Sequence, residues 1–254
     1  MFSPDDLTDD AFLGGKLQLW QPKTGYRAAS DPVLLAACCG AVAGQSVLDI
    51  GCGAGTVALC LGARVPGLHL AGLEVQAAYA ELARRNAARA GIALEVVEGS
   101  VLAIPLNLRR AFDHVVTNPP YFPQAGSPAR NVGRDLALRE DVPLADWIAA
   151  ACKRLTPKGW LTMILRADRL GDGLAALGRR MGSVAVLPLA PRHGRAAGRV
   201  VIRARKGGRA ALRLLPPFVL HDHASHPGDR DHHSTDAAAV LRGGAGLESL
   251  FATV

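Results

Sequence analysis

A doubly wound α/β fold, with a mostly parallel sheet of seven strands, is predicted by three features of this 254-residue chain. Seven short apolar runs recur along it, helical patterns separate most of them, and a glycine-rich turn follows the first run directly. Hydrophobic residues make up 49% and charged residues 20%, a globular composition that excludes a disordered chain. No run of about 18 uncharged apolar residues is present, which argues against a membrane-spanning helix. The start, MFSPDDLTDD, has four aspartates and no basic residue, the reverse of a secretory leader. Cys38, Cys39, Cys52, Cys60 and Cys152 are odd in number and lack zinc-type spacing, so reduced thiols in a cytoplasmic protein are expected.

The predicted strands are Ser46–Ile50, His69–Val75, Leu94–Glu98, Asp113–Thr117, Trp160–Leu165, Ser183–Leu189 and Arg199–Arg205. Their near-continuous apolar character suits strands covered on both faces. Ser30-Asp31-Pro32 offers cap residues and then proline before the apolar run Val33–Cys39, a helix start. A second helix follows the glycine-rich turn. Tyr79–Ala90 has helical spacing and stops at Gly91. In Leu144–Leu155 the apolar positions 144, 147, 148, 151, 152 and 155 form one helical face, with Pro157 and Gly159 beyond it. Only Ala190–Gly198 joins the last two strands, too short for a parallel crossover, so they should form an antiparallel hairpin. Residues 221–254 are polar, histidine-rich and weakly periodic, and read as a loosely ordered tail packed on the rest. Its His221, His223, His226, His232 and His233 match no zinc spacing, so no metal is expected.

Charge is local. The chain carries 29 basic and 22 acidic residues, a net +7. Eight of the basic ones, Arg192, Arg195, Arg199, Arg203, Arg205, Lys206, Arg209 and Arg213, fall between Pro191 and Leu220, where there is no acid. A cationic block on an otherwise balanced protein points to a polyanionic partner.

Two segments carry chemistry. Val47-Leu48-Asp49-Ile50-Gly51-Cys52-Gly53-Ala54-Gly55-Thr56 joins a predicted strand to a predicted helix, where glycines let the backbone turn tightly and approach a ligand. The helix start beyond it suits a carboxylate or phosphate. Glu74 ends the second strand, at the same edge as the glycine turn. Thr117-Asn118-Pro119-Pro120-Tyr121-Phe122 ends the fourth strand. Its two prolines fix φ twice and remove two donors, so the chain must leave the sheet there in a rigid shape.

The first segment resembles motif I of class I S-adenosylmethionine-dependent methyltransferases, which are Rossmann-like, and the second resembles the NPPY motif of members that methylate planar amino nitrogens. The resemblance implies S-adenosylmethionine as cofactor, held by Asp49, Gly51, Gly53, Gly55 and Glu74, with Ser100 and Val101 beside its adenine. Ser100 stands where relatives often carry an acid, which shifts weight to the Val101 backbone. It implies that Asn118, Pro119 and Tyr121 carry the chemistry, with Asn118 also at the cofactor. The carboxamide oxygen of Asn118 and the Pro119 carbonyl would each accept one N–H of the target amino group, and Tyr121 would stack on a base.

Residues 12–36, with Phe12, Lys16, Gly25-Tyr26-Arg27 and Ser30-Asp31, resemble the amino-terminal signature of enzymes that methylate adenine N6 beside the anticodon of a valine tRNA. On that resemblance Ser30 and Asp31 lie by the cofactor. Structured RNA, in particular a tRNA anticodon loop, becomes the expected partner, gripped by Arg192, Arg195 and Arg199 and by the loop bearing Arg130, Arg134 and Arg139. NPPY also marks protein glutamine methyltransferases acting on release factors and amino methyltransferases acting on ribosomal RNA or DNA. The release-factor enzymes carry a separate amino-terminal helical domain, whereas 45 residues precede Ser46 here. A non-catalytic RNA-binding module is the alternative from outside the enzymes. The expected organisation is an amino-terminal segment over the cofactor (1–45), a core (46–220) and the tail (221–254).

Overall fold

The structure, a computed structural model, describes residues 1–120, 142–222 and 232–252, and the backbone of a short strand pair, β7 (Phe122–Pro123) and β8 (Arg139–Glu140). All seven predicted strands are present: β3 (Ser46–Ile50), β4 (His69–Glu74), β5 (Leu94–Glu98), β6 (Phe112–Thr117), β9 (Leu155–Arg166), β10 (Met181–Arg192) and β11 (Arg199–Lys206). Two short strands, β12 (Arg213–Leu214) and β13 (Phe218–His221), add to β10, giving the order β12-β10-β11-β9-β6-β3-β4-β5 with β13 also on β10. The pairs β6–β3, β3–β4, β4–β5 and β6–β9 are parallel, and β11 is antiparallel to both β9 and β10, as the short connection requires.

Alternate strand residues feed two cores. Val47, Val116, Ile164 and Val201 join one with helices α1 (Ser30–Cys38) and α2 (Thr56–Arg64). Leu48, Val115, Met163 and Val200 join another with α4 (Leu144–Arg154) and α5 (Leu170–Leu177). Both faces of the sheet are therefore covered, which is why its strands read as continuous apolar runs. α3 (Ala77–Ala90) ends at Gly91, whose φ of 64° is the expected left-handed terminator. All five cysteines are buried and unpaired, and burial pushes the thiols of Cys38 and Cys39 up to about 12 and 11.

Three features depart from expectation. An amino-terminal hairpin, β1 (Leu7–Phe12) with β2 (Leu17–Pro22), is new. Its aspartates are poor strand formers, and the hairpin is held from outside. Buried Asn86 of α3 accepts the Trp20 N–H (2.8 Å) and donates to the carbonyls of Trp20 and Ala54 (both 3.0 Å). Ser30 does not cap α1: the flanking residue is Ala29, no side-chain cap forms, and the Asp31 carboxylate takes the Arg199 Nε–H at 3.0 Å. The described part of the tail, residues 232–252, holds a capped helix and packed apolar side chains where loose order was expected. Ser234 caps α6 (Thr235–Leu241), and Ala237, Val240, Leu247 and Phe251 enter the core of α1.

No helix among the described residues is long and apolar enough to cross a membrane. Among them no group of three or more His, Cys, Asp or Glu could hold a metal, and the rings of His221 and His233 stack at 4.9 Å. His223 and His226 lie outside the described residues.

Candidate active site

The chain runs outward from β3 to β5 and then returns to place β6 on the other side of β3, so the strand order switches between them. Ligands bind open α/β sheets at the carboxyl ends of strands at such a switch. Ile50 pairs with both Thr117 and Leu73, and Glu74 with Glu98. Register alone therefore brings Gly51, Asn118, Glu74 and Gly99 to one edge. A cavity of about 380 Å³ opens there.

The glycine turn is pinned to β4, since Gly51 and Cys52 donate their N–H groups to the Leu73 carbonyl (2.8 and 3.0 Å). Gly51 has φ +75°, and a Cβ on it would lie 3.0 Å from the Trp147 ring, so a side chain here would be strained in its backbone and would crowd that ring. Gly55 (φ 86°) flanks the start of α2. The Glu74 carboxylate is buried at the end of β4 and accepts from Gly53 N–H (2.9 Å) and Gln76 N–H (2.8 Å). Burial raises its pKa, and those hydrogen bonds oppose the rise.

Of the residues expected at the cofactor, Gly51, Gly53, Glu74, Ser100, Val101 and Asn118 line the cavity, as does Pro119. Ser30, Asp31, Asp49 and Gly55 are not among the lining residues. Ser100 Oγ accepts the Leu102 N–H at 3.2 Å. Tyr121 and the loop carrying Arg130 and Arg134 lie outside the described residues, as does the Arg139 side chain.

Asp49 is 1% exposed and its Oδ2 has no hydrogen-bond partner among the described residues. Burial, assisted by the charge of Glu74, pushes its pKa up to about 7 from the ordinary 3.8, against an Ala58 N–H bond that lowers it. The folded protein thus holds a proton that the unfolded chain releases near pH 4, and stability falls as pH rises from about 4 to about 7. In thermal melts of cofactor-free protein, Asp49→Asn should gain on the wild type as pH rises through that window. A constant difference between the two proteins would refute the shift.

At the end of β6, buried Thr117 donates from Oγ1 to the Ile50 carbonyl (2.9 Å) and accepts from Trp147 Nε1 (2.7 Å). One hydroxyl so fixes β6 against β3 and sets the Trp147 ring on the cavity wall. Asn118, Pro119 and Pro120 follow immediately on that wall. Asn118 Nδ2 donates to Tyr26 Oη at 3.3 Å. Tyr26, Trp147, Gln21 and Tyr79 all line the cavity and were not expected as site residues. The Gly25-Tyr26-Arg27 signature was the available signal for Tyr26, whereas Trp147 reads as an ordinary core-face position of α4.

The basic block is dispersed by the fold. Arg203 is buried, its guanidinium 4.8 Å from the centroids of both Trp160 and Phe251. Lys206 donates to the Leu155 carbonyl (2.6 Å), and Arg213 to those of Phe251 (2.6 Å) and Ala252 (3.0 Å). β10 runs parallel to β6 and ends at Arg192, where β11 begins with Arg199. The turn between them, with Arg195, therefore lies on the same sheet edge as Asn118.

The lining fits S-adenosylmethionine. A buried carboxylate ends a strand beside the cavity, and a glycine turn with positive φ at Gly51 and Gly53 closes one wall. Val75 and Leu102, 60% and 65% exposed, give apolar flanks for a flat base. Residues 30–187 match the methyltransferase small domain family. A curated tRNA1(Val) (adenine(37)-N6)-methyltransferase of Porphyromonas gingivalis is 35% identical over 176 residues, 65% of this chain and 69% of that protein. A release factor glutamine methyltransferase of Geobacter sulfurreducens is 36% identical over 129 residues, 47% of this chain and 45% of that protein. A crystal structure described as a predicted O-methyltransferase from Agrobacterium tumefaciens superposes with a TM-score of 0.69 at 27% identity, covering 85% of this chain and 97% of that one. The chain belongs to the methyltransferase small domain family and is an S-adenosylmethionine-dependent N-methyltransferase.

Proposed function

We propose that the protein methylates the N6 amino group of an adenine in a tRNA anticodon loop. The observation that carries this reading is the Asn118-Pro119-Pro120 corner at the switch point, beside the cavity that fits the cofactor. The adenine amino lone pair is delocalised into the ring, which makes the nitrogen a poor nucleophile. Asn118 Oδ1 and the Pro119 carbonyl each accept one N–H, which favours a pyramidal nitrogen and directs its lone pair into the cavity. Bound S-adenosylmethionine supplies an electrophilic methyl group on a sulfonium. The protein's contribution is positioning and charge complementarity. Tyr121, next in the chain, stacks on the base, a contact worth roughly 1–3 kcal/mol.

For the cofactor, Glu74 takes the ribose hydroxyls, Gly51 and Gly53 face its methionine end, and Ser100 and Val101 flank its adenine. Asp49, Gly55, Ser30 and Asp31 act from behind the lining, Asp31 through its bond to Arg199. A tRNA substrate places the protein in the cytoplasm.

A base in a folded loop must be unstacked to reach Asn118, at a cost of a few kcal/mol. Phosphate contacts at Arg192, Arg195 and Arg199 offset it. The Arg192 Nε–H is buried with no acceptor among the described residues, while Arg199 already holds Asp31. Glutamine at 192 and 195 should weaken tRNA binding and reduce the slope of log K against log salt by about 0.7–0.9 for each phosphate no longer neutralised. Glutamine at 199 should do less. A salt titration that superposes on the wild type would refute this face.

The substrate test offers labelled S-adenosylmethionine with separate pools of tRNA, ribosomal RNA and release factor. Label in tRNA is expected. The corner suits a glutamine side-chain amide equally well, so label in release factor alone would replace the RNA reading.

A further inference from the structure

Thr117 seats the Trp147 ring between the glycine turn and the proline corner. Trp147 Nε1 donates to Thr117 Oγ1 (2.7 Å), and that hydroxyl donates to the Ile50 carbonyl (2.9 Å), so the indole is tied to the ends of β6 and β3 together. A Cβ on Gly51 would meet Cζ2 and Cη2 of the ring at 3.0 and 3.3 Å. The edge that carries Nε1, Cζ2 and Cη2 is therefore the edge set on the strand ends. The ring packs on the core of Leu48 and Val115 and also lines the cavity, so it offers the cavity an indole face. Among the described lining residues Glu74 is the one charged side chain. The other lining rings stand on its side: Tyr26 lies 3.9 Å from a Cβ on Gly53, whose N–H bonds Glu74, and the Tyr79 hydroxyl bonds the Tyr26 backbone.

S-adenosylmethionine carries a positive charge on a sulfur bonded to the ribose end, the methionine chain and the methyl group. With the ribose at Glu74, the methionine end at the glycine turn and the acceptor amine at Asn118, that sulfur belongs beside Gly51 and Thr117, where the indole stands. An aromatic face attracts a cation, and tryptophan does so most strongly. We propose that Trp147 reads the charge of the cofactor: its indole face holds the sulfonium and so distinguishes S-adenosylmethionine from the demethylated product. Transfer breaks an S–C bond, forms an N–C bond and releases one amino proton to water, which leaves S-adenosylhomocysteine with a neutral thioether. The attraction ends with the charge, so the spent cofactor is held less tightly and exchanges for a fresh one. The proposal rests on the proposed placement of the ribose, the methionine end and the amine.

Calorimetry with S-adenosylmethionine and with S-adenosylhomocysteine tests it, because these ligands differ only in the methyl group and charge at sulfur. In Trp147→Leu the Kd for S-adenosylmethionine should rise about tenfold more than the Kd for S-adenosylhomocysteine, equivalent to about 1.4 kcal/mol. A merely structural wall would raise both together. Trp147→Phe keeps an aromatic face without the Thr117 bond and should retain most of the discrimination. Protein grown with trifluorotryptophan keeps the shape of the ring and lowers the electron density of its face. It should lose several-fold in discrimination, whether or not the leucine variant folds. An unchanged ratio of the two constants in the leucine variant or in the fluorinated protein would overturn the proposal. Weaker tRNA binding by Trp147→Leu with both cofactor constants unchanged would also overturn it, and would make the indole a base-stacking surface. Unchanged cofactor affinity in Glu74→Ala, or full turnover by Asn118→Ala, would instead remove the placement beneath the proposal, and both results are obtained without altering Trp147.

Discussion

Asn118→Ala should lower kcat by about 10²–10³, the usual cost of deleting one preorganised group aimed at developing charge. The remaining Pro119 carbonyl can hold only one of the two N–H groups, so the nitrogen stays closer to planar and its lone pair stays in the ring. Cofactor binding should change less than tenfold, because Glu74, the glycine turn and the apolar flanks are untouched. Calorimetry with S-adenosylmethionine beside single-turnover methyl transfer separates the two quantities. Asn118→Asp keeps an oxygen acceptor and should fall between the alanine variant and the wild type. A loss in cofactor affinity as large as the loss in kcat would make Asn118 a binding residue and not a catalytic one.

Glu74→Ala should produce the opposite split. A buried carboxylate accepting two hydroxyls makes charge-assisted bonds, about 1.5–3 kcal/mol each. Truncation also strands the Gly53 and Gln76 N–H groups that it accepts at 2.9 and 2.8 Å, loosening the glycine turn. S-adenosylmethionine Kd should rise by about 10²-fold or more, as that energy implies. With saturating cofactor, kcat should return to within a few-fold of wild type. Glu74→Gln keeps one acceptor and should lose less. Unchanged affinity in Glu74→Ala would place the ribose elsewhere.

The parallel core was legible because its strands are buried on both faces. Ser46–Ile50 and Leu94–Glu98 begin and end where their apolar runs do. The site's chain-local parts were legible for a related reason: glycines and prolines constrain the backbone at their own positions, and strand ends project to one edge. What escaped depends on partners distant in sequence. The β1–β2 hairpin is specified less by its own residues than by Asn86 of α3. Trp147 fits an apolar helical face as well as a cavity wall, and only its bond to Thr117 decides. Val240, Leu247 and Phe251 are too sparse to signal a packed tail, yet all three are buried. Net charge along a chain ignores which edge each residue reaches, so Arg203 counted as surface while it sits between two aromatic rings.

The corner at Asn118 is tested most directly by where the methyl group lands. tRNA methylated by the wild-type protein, digested to nucleosides and resolved by mass and retention, should yield N6-methyladenosine, formed about 10²–10³ times more slowly with Asn118→Ala. A product methylated on a ribose oxygen or on a ring nitrogen, formed equally by both proteins, would contradict the role given to that corner.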